Sequence, residues 1–271
     1  SVLACTIHPT YLLSSATLIL TYMIDLWFLE SQKTNAIKVG GLALLTVCPI
    51  VIYTLMSFGG GSGEVAERAR EILVTIRIPH HAKVEEWFDA STVIKILFIG
   101  AAILIVQSKK ARLLISLPLG IGVILTIFQY LTGNLTLALI FPWRLSTWLV
   151  PMASAILLGK MVSLLPLTPR NPVWYMTAAP VVMITLAVVS GLLQSWVNWR
   201  EISQSTSRNL EMYVAEHRRS GDLYLIPVKM HDFRIEAGVP VYGDFYSIPY
   251  TDEEVITWYS RFLNAKHFYE S

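Results

Sequence analysis

The sequence predicts a polytopic α-helical membrane protein of about six transmembrane helices with a small C-terminal extracytoplasmic α/β subdomain. Three observations predict it. Hydrophobic residues make up 54% of the chain and charged residues only 15%, where a soluble domain carries about a quarter charged. Apolar runs near the ~20 residues that a hydrocarbon core of about 30 Å requires recur between short polar turns. From Asn198 the composition turns polar and stays so, which separates a transmembrane domain, residues 1–197, from a soluble subdomain, residues 198–271.

The mean hydropathy of +0.54 belongs to a bilayer protein, and the net charge of +2 decides nothing. Basic residues sit in short caps on apolar runs and form no stripe interleaved with exposed aromatics, which excludes nucleic-acid binding. Cys5 and Cys48, both in apolar surroundings, make neither a disulfide framework nor a zinc pattern. Ser1 begins an apolar passage without a charged n-region, so the sequence is expected to be a piece of a longer protein.

The first span is expected over residues 10–29 and the second over 39–58, joined by the polar turn 30–38 and released by Gly59 to Gly63. A third, short span over residues 90–107 carries Lys95 near its start, where a long side chain snorkels to the headgroups. Residues 108–112 turn the chain into a fourth span, 113–131. An apolar connection then leads to Phe141-Pro142-Trp143-Arg144, where proline and an interfacial tryptophan suit the start of a fifth span running to about Leu165. Pro166, Pro169 and Pro172 stiffen the next turn, and a sixth span, 173–197, is bracketed by Trp174 at one end and Trp196 and Trp199 at the other.

Between the second and third spans lies the one long polar connection of this half, the amphipathic loop 59–89. Val65, Ala69, Ile72, Leu73 and Ile76 recur at helical spacing with charged residues on the other faces, so this helix is expected to lie flat at the membrane surface. Pro79 stops it, because the residue before a proline leaves the helical basin, and Pro79-His80-His81 begins a new direction. Sidedness follows from the short loops. Lys33 and Lys38, then Lys109, Lys110 and Arg112, then Arg170 with Lys160 share one face, which the positive-inside rule makes cytoplasmic. His8, residues 77–81, Arg144 and the C-terminal tail fall on the other face.

In the tail, a helix through Leu210 and Val214 is expected to end at Ser220-Gly221-Asp222. Residues 223–226 and 239–246 read as two strands, with a turn or short helix over 231–238. Thr251 to Glu254 forms a capping box for a last helix, with Tyr250 stapled onto Val255 and Ile256, Trp258, Tyr259, Phe262 and Leu263 on its buried face.

Asp222-Leu223-Tyr224-Leu225-Ile226-Pro227, Asp232-Phe233-Arg234, Val241-Tyr242-Gly243-Asp244-Phe245, Pro249-Tyr250 and Trp258-Tyr259-Ser260-Arg261 resemble the C-terminal domain of bacterial polytopic membrane proteins of unknown function. Those proteins look like distant relatives of the GT-C superfamily of glycosyltransferases. The resemblance extends to Arg77-Ile78-Pro79-His80-His81 and His8-Pro9. It implies sugar transfer from a polyprenyl-phosphate donor on the extracytoplasmic face. A lysine expected after the second strand is replaced here by Tyr246 or Ser247. The resemblance places the catalytic carboxylate in a first outer loop that this sequence does not contain, so no residue here inherits that role and no cofactor is named. A different class stays open: a non-catalytic envelope-assembly or transport protein whose tail binds a partner.

Arg77, His80 and His81 are candidate contacts for a lipid-linked phosphate or diphosphate, since a guanidinium matches that group bidentately and imidazoles donate to it. The other reading makes them anchors at the headgroups. Arg144 is a further anion-contact candidate, although an arginine beside a tryptophan at a helix start also serves as an interfacial anchor, the preferred reading there. His81, Glu85 and Asp89 would face one another only if the chain stayed helical after Pro79, and Lys83 argues against a metal among them. Asp25 is expected to reach the cytoplasmic headgroups, Arg234 and Asp244 to pair across the tail's strands, and Asn134-Leu135-Thr136 to match the glycosylation pattern by chance.

Overall fold

The computed structural model describes residues 11–58, 63–164, 172–203, 207–230, 232–249 and 251–270. His8, Cys5, Arg170, Tyr250 and the glycines 59–61 therefore lie outside the described residues. The chain divides into two units, Ser1–Ser163 with Pro249–Thr257, and Leu164–Ile248 with Trp258–Ser271.

Within the first unit, α1 (Leu12–Ile24) runs into a π-helical turn, Asp25–Leu29, where the Glu30 N–H reaches back five residues to the Asp25 carbonyl at 3.0 Å. Helix α2 follows over Lys33–Phe58. The amphipathic loop folds as α3 (Glu64–Ile72), a second π-helical turn (Leu73–Arg77), and the short helices α4 (Pro79–Ala82) and α5 (Val84–Trp87). Then come α6 (Ala90–Ile105), α7 (Lys109–Thr132), α8 (Leu135–Leu139), a 3-10 turn (Pro142–Leu145) and α9 (Ser146–Leu164).

Among the described residues four helical stretches are long and apolar enough to cross a membrane: Leu12–Leu29, Lys33–Met56, Lys109–Thr132 and Leu135–Leu164. Their side chains mostly point outward; only 6% of the most apolar part of Lys33–Met56 is buried, so water is a poor solvent for this surface. They coincide with the first, second, fourth and fifth of the about six expected spans. The third span is a helix of 16 residues, about 24 Å at 1.5 Å per residue, because Val106 turns extended and Ser108 caps the next helix. The sixth falls on α10 (Pro172–Ser203), which is not among the four.

The core of this unit joins α6, α7 and α9 through Ile99, Ala102, Ile115, Leu145, Leu149 and Ala153. Gly122 lets α7 approach the 3-10 turn: a Cβ there would sit 3.2 Å from Leu145 Cδ1 and 3.4 Å from the Pro142 carbonyl. Asp25 opens the first π-helical turn. It is buried at 8% exposure, with Oδ2 3.8 Å from Lys110 Nζ, and Lys110 also pairs with Glu30. The lysine-bearing turns around residues 30 and 110 thus meet at one end of the helices.

The second unit holds α10, α11 (Arg208–His217), α12 (Phe233–Glu236) and most of α13 (Asp252–Glu270). Val214, Ile226, Phe233, Ala237 and Val239 form its core. The expected α/β character is not present among the described residues: the two predicted strands meet in a single parallel bridge, Tyr224 to Val241. Tyr224 N–H donates to the Pro240 carbonyl at 3.1 Å and Tyr242 N–H to the Tyr224 carbonyl at 2.8 Å. Pro227 and Pro240 lack the N–H groups that a longer ladder needs, and the Asp244 carboxylate bends the chain by accepting from the N–H groups of Tyr246 and Ser247. Arg234 and Asp244 do not pair directly either; the Arg234 guanidinium donates to Ser247 Oγ at 2.6 Å, so both grip the same serine. Trp258 Nε1 donates to the Asp244 carbonyl at 2.7 Å and stacks on Phe262.

Candidate functional site

Pro79 acts as its chemistry requires. Ile78 leaves the helical basin at φ −131°, and Pro79 starts α4 with the φ it already has. The helix before it buries Ala66, Ala69 and Ile72 and leaves Val65 exposed, so the packed face is turned from the expected one toward the small alanines. Val74 and Ala82 then pack with Ala138 of α8, and Ile78 and Phe141 close over them.

This packing sets His80 and His81 at the edge of a cleft of about 460 Å³, lined also by Trp87, Lys95, Trp143 and Arg144. The imidazoles lie 4.3 Å apart between centroids. Phe141 stands between His81 and Arg144, its ring edge-on to His81 at 6.2 Å and 5.6 Å beneath the guanidinium. Its backbone is left-handed, φ 53°, a conformation that costs a non-glycine residue about 1–2 kcal/mol. Packing against Val74 of the second π-helical turn, Ala82 of α4 and Ala138 of α8 holds it there. Trp87 and Trp143 stack face to face, 5.6 Å apart and 2° from parallel.

The opposite rim is fixed by Thr92, whose N–H donates to Asp89 Oδ1 at 2.7 Å and whose hydroxyl donates to the Trp87 carbonyl at 2.8 Å. The Thr92 N–H is the largest of the influences that hold the Asp89 carboxyl below its usual range. Burial pushes the His81 imidazole below its usual range, and the positive charges of His80 and Arg144 add to that. His81 is therefore neutral at pH 7.

Three of the four predicted anion contacts, His80, His81 and Arg144, come together. Arg77 does not line this cleft; it closes the second π-helical turn. The metal reading fails on backbone grounds: Lys83 is extended, φ −91° and ψ 125°, so His81 and Glu85 do not share a helical face. Among the described residues no cluster of three or more His, Cys, Asp or Glu side chains is placed to hold a metal ion.

Sequence reasoning missed Trp87, Glu86, Thr92 and Gln129. Gln129 is an isolated amide in an apolar span, and that isolation was the available signal. It is 6% exposed and donates from Nε2 to the Ala82 carbonyl, fastening the histidine turn to α7 at the end away from Lys110. Gln129→Leu leaves that buried carbonyl without a donor, a loss of about 1–3 kcal/mol. We expect the variant to insert normally and to be cut faster by protease within residues 79–89. An unchanged cleavage rate means that packing alone holds the turn.

The fold defines a helical protein with stretches long and apolar enough to cross a membrane, and its cleft gathers basic, acidic and aromatic groups. The family described as Domain of unknown function (DUF6798) matches residues 205–265. No curated protein and no solved structure matches the chain.

Proposed function

We propose that the chain is the membrane-embedded part of a transferase similar to the GT-C glycosyltransferases, and that the cleft binds the phosphate of a polyprenyl-phosphate sugar donor at the extracytoplasmic surface of a bacterial plasma membrane. The observation that carries this reading is the convergence of His80 and His81 with Arg144, far apart in sequence, on one cleft beside stacked tryptophans. Arg144 offers a forked pair of donors to a phosphate, Lys95 adds a point charge, and the imidazoles donate from the other wall. Tryptophans suit the headgroup level, where one side is apolar and the other wet.

In the reaction the sugar passes from the donor phosphate to an acceptor hydroxyl, polyprenyl phosphate leaves, and a carboxylate takes the acceptor proton. No residue of this sequence is assigned as that base. Arg144→Ala tests the reading. A hydrogen bond to a charged group contributes about 1.5–3 kcal/mol, so farnesyl phosphate should bind the variant more than tenfold more weakly while insertion is unchanged. Equal binding would move the chain to the non-catalytic class, an assembly or transport protein.

Sidedness has its own test. Cysteines placed at His81 and at Ser220 should both be labelled by an impermeant maleimide from outside the cell. Labelling of either from the cytoplasm alone overturns the assignment.

A further inference from the structure

In the second unit, Tyr224 donates its N–H to the Pro240 carbonyl and accepts from the Tyr242 N–H, so both of its backbone groups face the segment 240–242. In an extended chain the neighbouring residues turn their backbone groups the opposite way, which sets those of Leu223 and Leu225 along the other edge of residues 223–226. Exposure follows the same period of two: Leu223 and Leu225 are exposed, Tyr224 is half-buried and Ile226 is buried. Among the described residues no backbone group pairs with Leu223 or Leu225, and the one bond on this edge comes from a side chain, the Tyr269 hydroxyl donating to the Leu225 carbonyl at 2.8 Å. We propose that this edge takes an extended segment of another protein as an added strand, one that carries carboxylates on both sides of an apolar stretch.

Backbone chemistry calls for a strand. A row of N–H and C=O groups without strand partners is a template for another extended chain, and the exposed Leu223 and Leu225 offer apolar contact to its alternate side chains. Charge selects the partner. Arg219 and Lys229 stand beyond the two ends of the segment, both exposed, and the ion pairs among the described residues include neither. The nearby charges are engaged: Arg218 donates to the carbonyls of Ala237 and Gly238, and the Asp222 carboxylate accepts from the Arg219 N–H and the Tyr224 hydroxyl. A second copy of this chain is the wrong occupant. Two-fold antiparallel pairing about Tyr224 sets Arg219 of one copy beside Lys229 of the other, and like charges placed opposite each other destabilise such a pair. Carboxylates at both ends of an incoming strand meet the same two cations favourably.

The test uses the full chain in nanodiscs and, as probe, a synthetic peptide of alternating valine and threonine with paired glutamates at each end. The peptide should bind saturably. With its central amides N-methylated it should bind more weakly by about two- to twelvefold for each hydrogen bond lost, the equivalent of about 0.5–1.5 kcal/mol. Leu225→Pro takes one N–H from this edge and none from the bridge, where Tyr224 supplies both groups, so peptide binding should fall by a similar factor while residues 207–249 keep their resistance to protease. Tyr269→Phe vacates the Leu225 carbonyl and should tighten binding. Should the proline variant fold poorly, Arg219→Glu combined with Lys229→Glu, which touches only exposed side chains, should reverse the charge preference, so that a peptide flanked by lysines binds better than the acidic one. No binding of the acidic peptide, full affinity after N-methylation, or an unchanged preference in the charge variant overturns the inference. Dimers of the chain that Leu225→Pro disperses also overturn it, since a second copy is then the occupant. None of these outcomes bears on the cleft, which Arg144→Ala tests separately.

Discussion

Phe233→Ala is expected to unfold the polar part of the second unit while the apolar helices still insert. Phe233 is 2% exposed and is among the largest side chains fully enclosed in the described structure, with Tyr224 beside it at 6.4 Å between ring centroids. Removing a buried phenyl ring costs about 3–5 kcal/mol, the transfer loss plus the cavity left behind. Whole domains are stable by only about 5–15 kcal/mol, and small ones lie at the low end. Little else here compensates: the sheet is one bridge, and Arg218, donating to the carbonyls of Ala237 and Gly238, is the main polar tie from α11 to the turn after α12. Limited proteolysis of residues 207–249 reads the outcome. Phe233→Leu, which refills most of the volume, should restore resistance, and resistance in the alanine variant would show that the bridge and the Arg218 bonds suffice.

The same unit shows what the sequence conceals. Residues 223–226 and 239–246 carry the β-branched and aromatic composition of strands, and they do meet, at Tyr224 and Val241. Composition speaks of local preference, whereas a ladder needs successive N–H groups in register. Pro240 removes one such group at the bridge, and the Asp244 carboxylate captures two more just beyond it. The capping box was plainer, since Thr251 and Glu254 lie three residues apart and their side chains meet at 2.8 Å. Apolar runs were likewise legible, although length alone counted α6 as a span when its helix stops at Ile105.

For the cleft, residue type marked the members and distance hid the grouping. His80, His81 and Arg144 stand out as polar residues beside apolar runs, and each drew notice on that ground. Nothing local says that Trp87 stacks on Trp143 or that Gln129 supports Ala82, because those pairs are joined by the packing of α7 and the turn beside α8. Phe141 in a left-handed conformation is likewise invisible in the sequence, since phenylalanine is a residue that ordinarily avoids it.

Binding of a phosphodiester in the cleft is expected to tighten as pH falls from about 7 toward 5.5, by up to tenfold per pH unit for the one proton taken up. His81 is the group at issue. Burial first, and then the charges of His80 and Arg144, hold its imidazole below its usual range. By itself that shift destabilises the fold in acid: the stability it contributes is present above about 6.5 and is lost as pH falls through the lower folded value. An anion reverses the balance, because a negative charge beside the ring favours the imidazolium and binding draws in a proton. The other ionisable groups lining the cleft are Glu86, Asp89, Lys95 and Arg144 together with His80, and the Thr92 bonds keep Asp89 ionised through this window. Diethyl phosphate is the suitable probe, since a phosphodiester keeps a single negative charge across the range and its own titration does not enter. His81→Asn retains a side chain that donates hydrogen bonds and loses the titration, so its affinity should vary less with pH. If the variant keeps the full dependence, the proton is taken up elsewhere and His81 is only a neutral wall of the cleft.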